Sequence, residues 1–290
     1  MFQNCVRFLR GGLLFGATAL SLWLPSSAMA ADAQAPASRT DPSAPMRLEA
    51  YGPDDGLSQS TISALQSDDQ GFLWVGTQEG LNRFDGHRFR VHRRDPADPR
   101  SLASSSFDAL AFEPARRRLW LGTNDSGVEI VHLPDWSRRR LGTAQGLSHH
   151  AVNRVLLDPA GGAWIGTGAG VDHVDADLQR ATPLGRSADV VGLALLSGRS
   201  SALALDRQCR LWRLESDAMT PLQDSPVASG TCVDLQLGPE GAWVASDSDG
   251  LLLLDPASGQ PLRHYPPQQL RGLAVHPTAL ARLADGRVLI

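Results

Sequence analysis

Three short stretches carry residue types that could do chemistry. Gly166-Thr167-Gly168-Ala169-Gly170 has the glycine density of a dinucleotide loop, and Asp247-Ser248-Asp249-Gly250 offers carboxylates to a calcium ion. The adjacent His149 and His150 could ligate a metal or move a proton. Each fits its surroundings better as plain structure. No helix pattern follows Gly170, and phosphate cradling relies on the partial positive charge of a helix N-terminus. Asp247 to Gly250 supplies only two side-chain carboxylates, whereas calcium takes about six to eight oxygens. His149 and His150 sit in a loop ahead of an apolar run. His-Glu-x-x-His, Gly-x-Ser-x-Gly and Cys-x-x-Cys are missing, as are a kinase phosphoacceptor region and a Gly-Gly-Asp-Glu-Phe cyclase signature. The inventory predicts no catalytic residue, no metal and no cofactor in this chain.

Charge narrows the partners. The chain has 27 basic residues, all of them arginine, and a formal net charge of −4. Arg116-Arg117-Arg118 and Arg138-Arg139-Arg140 lie between apolar segments, which reads as solvated turns and outer strands. An acidic chain of this kind is not expected to bind nucleic acid.

The elements that position these residues come from an internal repeat. Four segments align: GFLWVGTQEGLNRFDG from Gly71, RLWLGTNDSGVEIV from Arg118, GAWIGTGAGVDHVD from Gly162 and GAWVASDSDGLLLLD from Gly241. Their tryptophans, Trp74, Trp120, Trp164 and Trp243, are spaced by 46, 44 and 79 residues. The last gap is nearly two periods, so a degenerate copy lies between, at Ser201 to Leu214, with Leu203 near the tryptophan position. Asp285 to Ile290 begins a sixth copy with Leu289 in that slot. Each copy holds four short runs with β character joined by Asp/Gly turns, which is the pattern of a propeller blade.

The fold expected is all-β, a β-propeller of about five four-stranded blades and a partial sixth. The blades fall at roughly 56–98, 101–143, 146–186, 187–225, 227–268 and 271–290. The tryptophans should fill the gaps between blades. Gly76, Gly122 and Gly166 should let neighbouring backbones come close.

Gly56 to Gly86, GLSQSTISALQSDDQGFLWVGTQEGLNRFDG, resembles the two-component regulator propeller repeat, and Gly146 to Asp175 is similar to it. The shared elements are Gly-Leu-Ser, the Leu-Trp-Val-Gly-Thr strand, and Gly-Leu-x-x-Phe-Asp-Gly. The likeness weakens over residues 186–225, which lack the tryptophan and the Gly-Thr pair, and at Ala245-Ser246. The resemblance implies a periplasmic sensor region of a hybrid histidine kinase or diguanylate cyclase, attached to the inner membrane in the full-length form. It also implies a small-molecule or carbohydrate-like ligand and a homodimer of the whole receptor. An exported lyase or hydrolase, or a periplasmic assembly scaffold, are the alternatives.

Met1 to Ala30 has the basic start, apolar core and Ser-Ala-Met-Ala end of a cleaved signal peptide, and 31–45 reads as a disordered linker. No later stretch is apolar enough to span a membrane. Met46 to Tyr51 alternates like the outermost strand of a closing blade, yet one strand would still be missing between the two ends. The ring is therefore expected to be incomplete here, with the output domains in a missing C-terminal part. Cys209 and Cys232 could form a disulfide, a question their spacing leaves open.

Turns alternate between the two ends of a propeller. The segment before each first strand and the turn after each tryptophan strand should therefore share one face. That face is expected to carry Ser58, Gln59, Ser60, Gln78, Glu79, Asn124, Asp125, His149, His150, Asn153, Asp247 and Asp249 as candidate ligand-binding residues.

Overall fold

The computed structural model describes residues 6–8, 49–196, 201–270, 279–282 and 288–289. The leader apart from Val6–Phe8, the linker and most of the sixth repeat lie outside them.

Five four-stranded antiparallel sheets follow one another along the chain. Blade I comprises Ile62–Ser67, Leu73–Thr77, Leu81–Phe84 and Phe89–His92. Blade II comprises Phe107–Glu113, Arg118–Thr123, Val128–His132 and Arg138–Leu141. Blade III comprises Val152–Leu157, Ala163–Thr167, Gly170–Val174 and Ala181–Arg186. Blade IV comprises Val190–Leu195, Ala202–Asp206, Leu211–Leu214 and Met219–Pro221. Blade V comprises Cys232–Gly238, Gly241–Ser246, Gly250–Leu254 and Pro261–Tyr265. A two-stranded piece, Ala281–Arg282 with Val288–Leu289, follows. First strands of successive blades lie side by side, so the sheets are arrayed about a common axis. Among the described residues the ring is not closed.

The repeat is visible in the register. Every first strand carries a bulge at the same place, between Ile62 and Ala64, Phe107 and Ala109, Val152 and Arg154, Val190 and Gly192, and Cys232 and Asp234. A bulge adds one residue and sharpens the local twist, here at the same end of each blade. The tryptophans sit opposite equivalent positions, Gln66, Ala111, Leu156 and Gln236, and Leu203 takes that place opposite Ala194.

Second strands are apolar on both faces because each is covered twice. Trp74 packs with Phe107, Leu119 and Leu121 of blade II, and Trp120 with Val152, Ala163 and Ile165 of blade III. Trp164 packs with Val190, Ala202 and Ala204 of blade IV. Each indole thus fills the wedge toward the next blade. Beside it, the strand glycine leaves room for the next blade's first residue. A side chain on Gly166 would meet Val190 at 2.7 Å, and one on Gly76 would meet the Phe107 carbonyl at 3.0 Å.

Glu49–Tyr51 is a strand, as its alternation predicts, and it pairs antiparallel with Val6–Phe8. Its Tyr51 ring packs edge-on against Phe84 and Phe89, with centroids 4.9 and 6.1 Å away. That aromatic contact holds the strand against blade I, leaving its free edge to the segment nearest in space.

Cys209 and Cys232 form a disulfide with their Cα atoms 5.1 Å apart. It ties the turn after blade IV's second strand to the first residue of blade V. Replacing both cysteines by serine is expected to lower the free energy of unfolding by about 2–4 kcal/mol, as for a loop of modest length. Trp164→Ala should cost about 3–5 kcal/mol, and Trp243→Ala clearly less, because Trp164 is wholly buried and Trp243 only partly. Urea denaturation of the variants checks both expectations.

Candidate functional site on the ring face

In blades II to V, an amide of the turn after the second strand donates to a carbonyl of the segment leading into the first strand. The pairs are Asn124 to Ser106 (3.4 Å), Gly168 to Ala151 (3.2 Å), Arg207 to Asp189 (2.7 Å) and Asp247 to Thr231 (3.0 Å). In blade I the hydroxyls of Ser58 and Thr77 do the same work at 2.8 Å. Lead-in segments and second turns therefore lie at one end of every blade.

A second device fixes the lead-in segments of blades I to III. Asn82, Glu129 and Asp172 occupy one register position on the third strands, opposite Val75, Leu121 and Ile165, and all three are buried. Asn82 Oδ1 accepts the Ser58 amide at 2.9 Å, Glu129 Oε2 the Ala103 amide at 2.8 Å, and Asp172 Oδ2 the Ser148 amide at 2.9 Å. Ser148 Oγ adds a bond to Asp172 Oδ1 at 2.5 Å. Leu57, Leu102 and Leu147 of the same segments are buried beside these latches. The serine of Gly-Leu-Ser is thus engaged by the fold itself. In blades IV and V the position holds Trp212 and Leu252, and the disulfide joins the two blades instead.

The predicted face residues divide accordingly. Ser58 is bonded to Asn82 and Thr77, and Asn153 Nδ2 donates to the Val190 carbonyl at 3.2 Å, tying blade III to IV. Asp247 accepts the Thr231 amide at 2.8 Å and Asp249 the Ser229 amide at 2.6 Å, so both carboxylates hold a turn. Asn124 donates to Asp108 and Asp125 accepts Ser126 Oγ, each at 2.9 Å. Gln78, Glu79 and His150 are exposed, and Ser60 is half-buried. The rings of His149 and His150 stack with centroids 4.3 Å apart. Gln59 Oε1 is buried without a hydrogen-bond partner. Behind the face, Arg154 of blade III reaches Asp234 of blade V at 3.9 Å, and Asp234 also accepts the Leu280 amide at 2.8 Å. Burial pushes the Asp234 and Asp172 carboxyls above their ordinary range.

Residues 56–79 match the family model described as "Two component regulator propeller". This stretch of blade I carries the two-component regulator propeller repeat. The matched span runs from the Gly-Leu-Ser lead-in of blade I through its second strand, the pieces joined by the Ser58–Thr77 and Ser58–Asn82 bonds. Histidine kinase P4 of Formosa agariphila is 46% identical over 56 residues, which is 19% of this chain and 4% of that protein. The extracellular domain of the hybrid two component system BT4673 from B. thetaiotaomicron superposes with a TM-score of 0.66 at 16% identity, over 84% of this chain and 35% of that one. The corresponding domain of BT3049 from the same organism gives 0.57 at 15% identity, over 82% and 39%. The chain thus spans little more than a third of these solved relatives. At such identities the superpositions establish the propeller fold of the repeat.

The latch generates a pH-dependent expectation. Burial raises the Asp172 carboxyl above its ordinary 3.8, so the folded chain holds that proton more tightly than the unfolded one. The resulting contribution to stability is present in acid and is lost as pH rises through the raised value. Asp172→Asn keeps the acceptor, as Asn82 does in blade I. Its stability relative to the parent should therefore improve from pH 3 toward pH 7, on the order of the usual window for buried carboxyls. Asp172→Leu removes the acceptor and should cost about 1–3 kcal/mol at neutral pH. Denaturation midpoints across that range test both variants.

Proposed function

We propose that this chain is the extracytoplasmic sensor part of a bacterial signalling receptor. In this reading the ring face binds a small hydroxylated ligand, and kinase or cyclase output resides in a part of the receptor outside these 290 residues. The observation that carries it is the convergence of five lead-in segments and five second turns on one face of a propeller bearing the regulator repeat.

The chemistry of that face suits hydroxyl groups. The stacked imidazoles of His149 and His150 carry ring nitrogens that can donate or accept, and Gln78 and Glu79 add exposed polar ends. These groups are carried on turns pinned by the latches, so little ordering remains to oppose binding. The solved relatives are extracellular domains of signalling systems, and Histidine kinase P4 is a kinase by name, which supports placing this chain outside the cytoplasm. No helix among the described residues is long and apolar enough to cross a membrane. Attachment to the inner membrane and dimerisation of the full receptor belong to the same proposal.

A thermal-shift screen of the purified chain against mono- and oligosaccharides tests the reading. A recognised sugar at a hundred times its Kd should stabilise the fold by about 2.7 kcal/mol. The double variant Gln59→Ala, His150→Ala should lose that response. Screening that finds no responding sugar, or a response untouched by the two substitutions, would reject a ring-face sensor.

A further inference from the structure

A groove of about 990 Å³ lies between the outer strands of blades I and II. Six arginines line it: Arg90 and Arg93 at the end of blade I, Arg100 in the connecting loop, and Arg138, Arg139 and Arg140 on blade II. Two aspartates share the lining, and both are occupied. Asp98 accepts the Arg100 amide at 2.8 Å, and Asp135 accepts the Ser137 amide at 2.9 Å and faces His132 at 2.8 Å. Arg138 and Arg140 share the buried Glu129 at 3.7 and 2.9 Å. Arg93 and Arg139 bond only to neutral acceptors, the Glu79 and Leu178 carbonyls and Gln179. Several guanidinium charges thus converge on a concave surface with too few carboxylates to balance them.

The floor is aromatic. His92 stacks on Trp136 with centroids 4.5 Å apart, and Trp74 lies 6.1 Å from each. Trp136 is half-buried and holds a positive φ of 59°, a conformation rare for a bulky residue, secured by its amide bond to the His132 carbonyl at 2.8 Å. His92 Nε2 is buried without a hydrogen-bond partner. Burial, then the charges of Arg90 and Arg83, pull the His92 pKa down to about 4. At neutral pH the imidazole is therefore uncharged.

We propose that this rim groove binds an acidic carbohydrate chain, one carrying carboxylate or sulfate groups among its hydroxyls. Guanidinium forks grip either anion through paired hydrogen bonds. Trp136 gives apolar surface to the C–H face of a sugar ring. Asp98 and Asp135 keep their negative charge in the groove and would repel a ligand charged at every unit, which disfavours nucleic acid and polyglutamate. The volume matches that of an oligosaccharide-sized site. The groove's lining shares no residue with the ring-face candidates, so its failure would leave that reading intact.

Titration calorimetry of the full chain tests it with four-residue sugars: one with a uronate at alternate units, one with a sulfate at alternate units, and a neutral glucan. At least one acidic sugar should bind ten or more times tighter than the glucan and weaken with added salt; which one does so distinguishes carboxylate from sulfate. Arg90→Gln with Arg93→Gln, both exposed positions, should reduce that affinity at least tenfold while leaving the far-ultraviolet circular dichroism unchanged. The ring-face variant Gln59→Ala, His150→Ala should bind the acidic sugar as the parent does. Equal binding of neutral and acidic sugars, tighter binding of polyglutamate or an oligonucleotide, or an affinity unchanged in the arginine variant would overturn the proposal.

Discussion

The structure depends on one constraint: a blade cannot bury its two apolar faces alone. Four short strands expose too much apolar surface for a free sheet to be stable in water. Stacking around an axis solves this, but radial packing leaves a wedge that widens with distance from the axis. Large indoles at Trp74, Trp120 and Trp164 fill that wedge, and the neighbouring Gly76, Gly122 and Gly166 allow the next first strand to press in where the space is narrow. Large beside small, repeated at one register, is what sets the blade-to-blade spacing. Trp243 keeps the same register and is partly buried, packed beside Tyr265, Leu270 and Leu280.

Once the blades are stacked, their loops must be held, and the chain uses different chemistry along its length. Blades I to III use a buried polar latch from the third strand to the lead-in segment. An amide, a glutamate and an aspartate serve the same geometry, and they differ in what they demand of their surroundings. Glu129 is neutralised by Arg138 and Arg140, whereas Asp172 leans on Ser148 alone and is kept harder to ionise by burial. At blades IV and V, where third strands lack a latch, a covalent bridge and the Asp247 and Asp249 turn bonds take over. The lead-in segments and turns of the ring face are therefore held by several independent means.

The arginines show how one residue set can be structural and still leave an unspent charge. Glu129 serves the latch with one oxygen and two arginines with the other, which anchors Arg138 and Arg140 beside the groove. Arg90, Arg93 and Arg139 come from sequence segments about fifty residues apart and meet only because outer strands of adjacent blades run side by side.

The sequence by itself determined the architecture. Period, tryptophan register, turn glycines and even the degenerate fourth copy with Leu203 were legible, because local strand and turn preferences repeat and the repeat forces stacking. The latch left a trace that was readable in principle: Asn82, Glu129 and Asp172 each interrupt an apolar third strand at the same offset. Tertiary structure alone decided what those polar residues bond to and that Cys209 and Cys232 are bridged. It also turned two ordinary arginine clusters into different things, one a turn and one the wall of a groove. Periodicity encodes which residues face a neighbour; which neighbour arrives, and at what distance, is set only when the blades have packed.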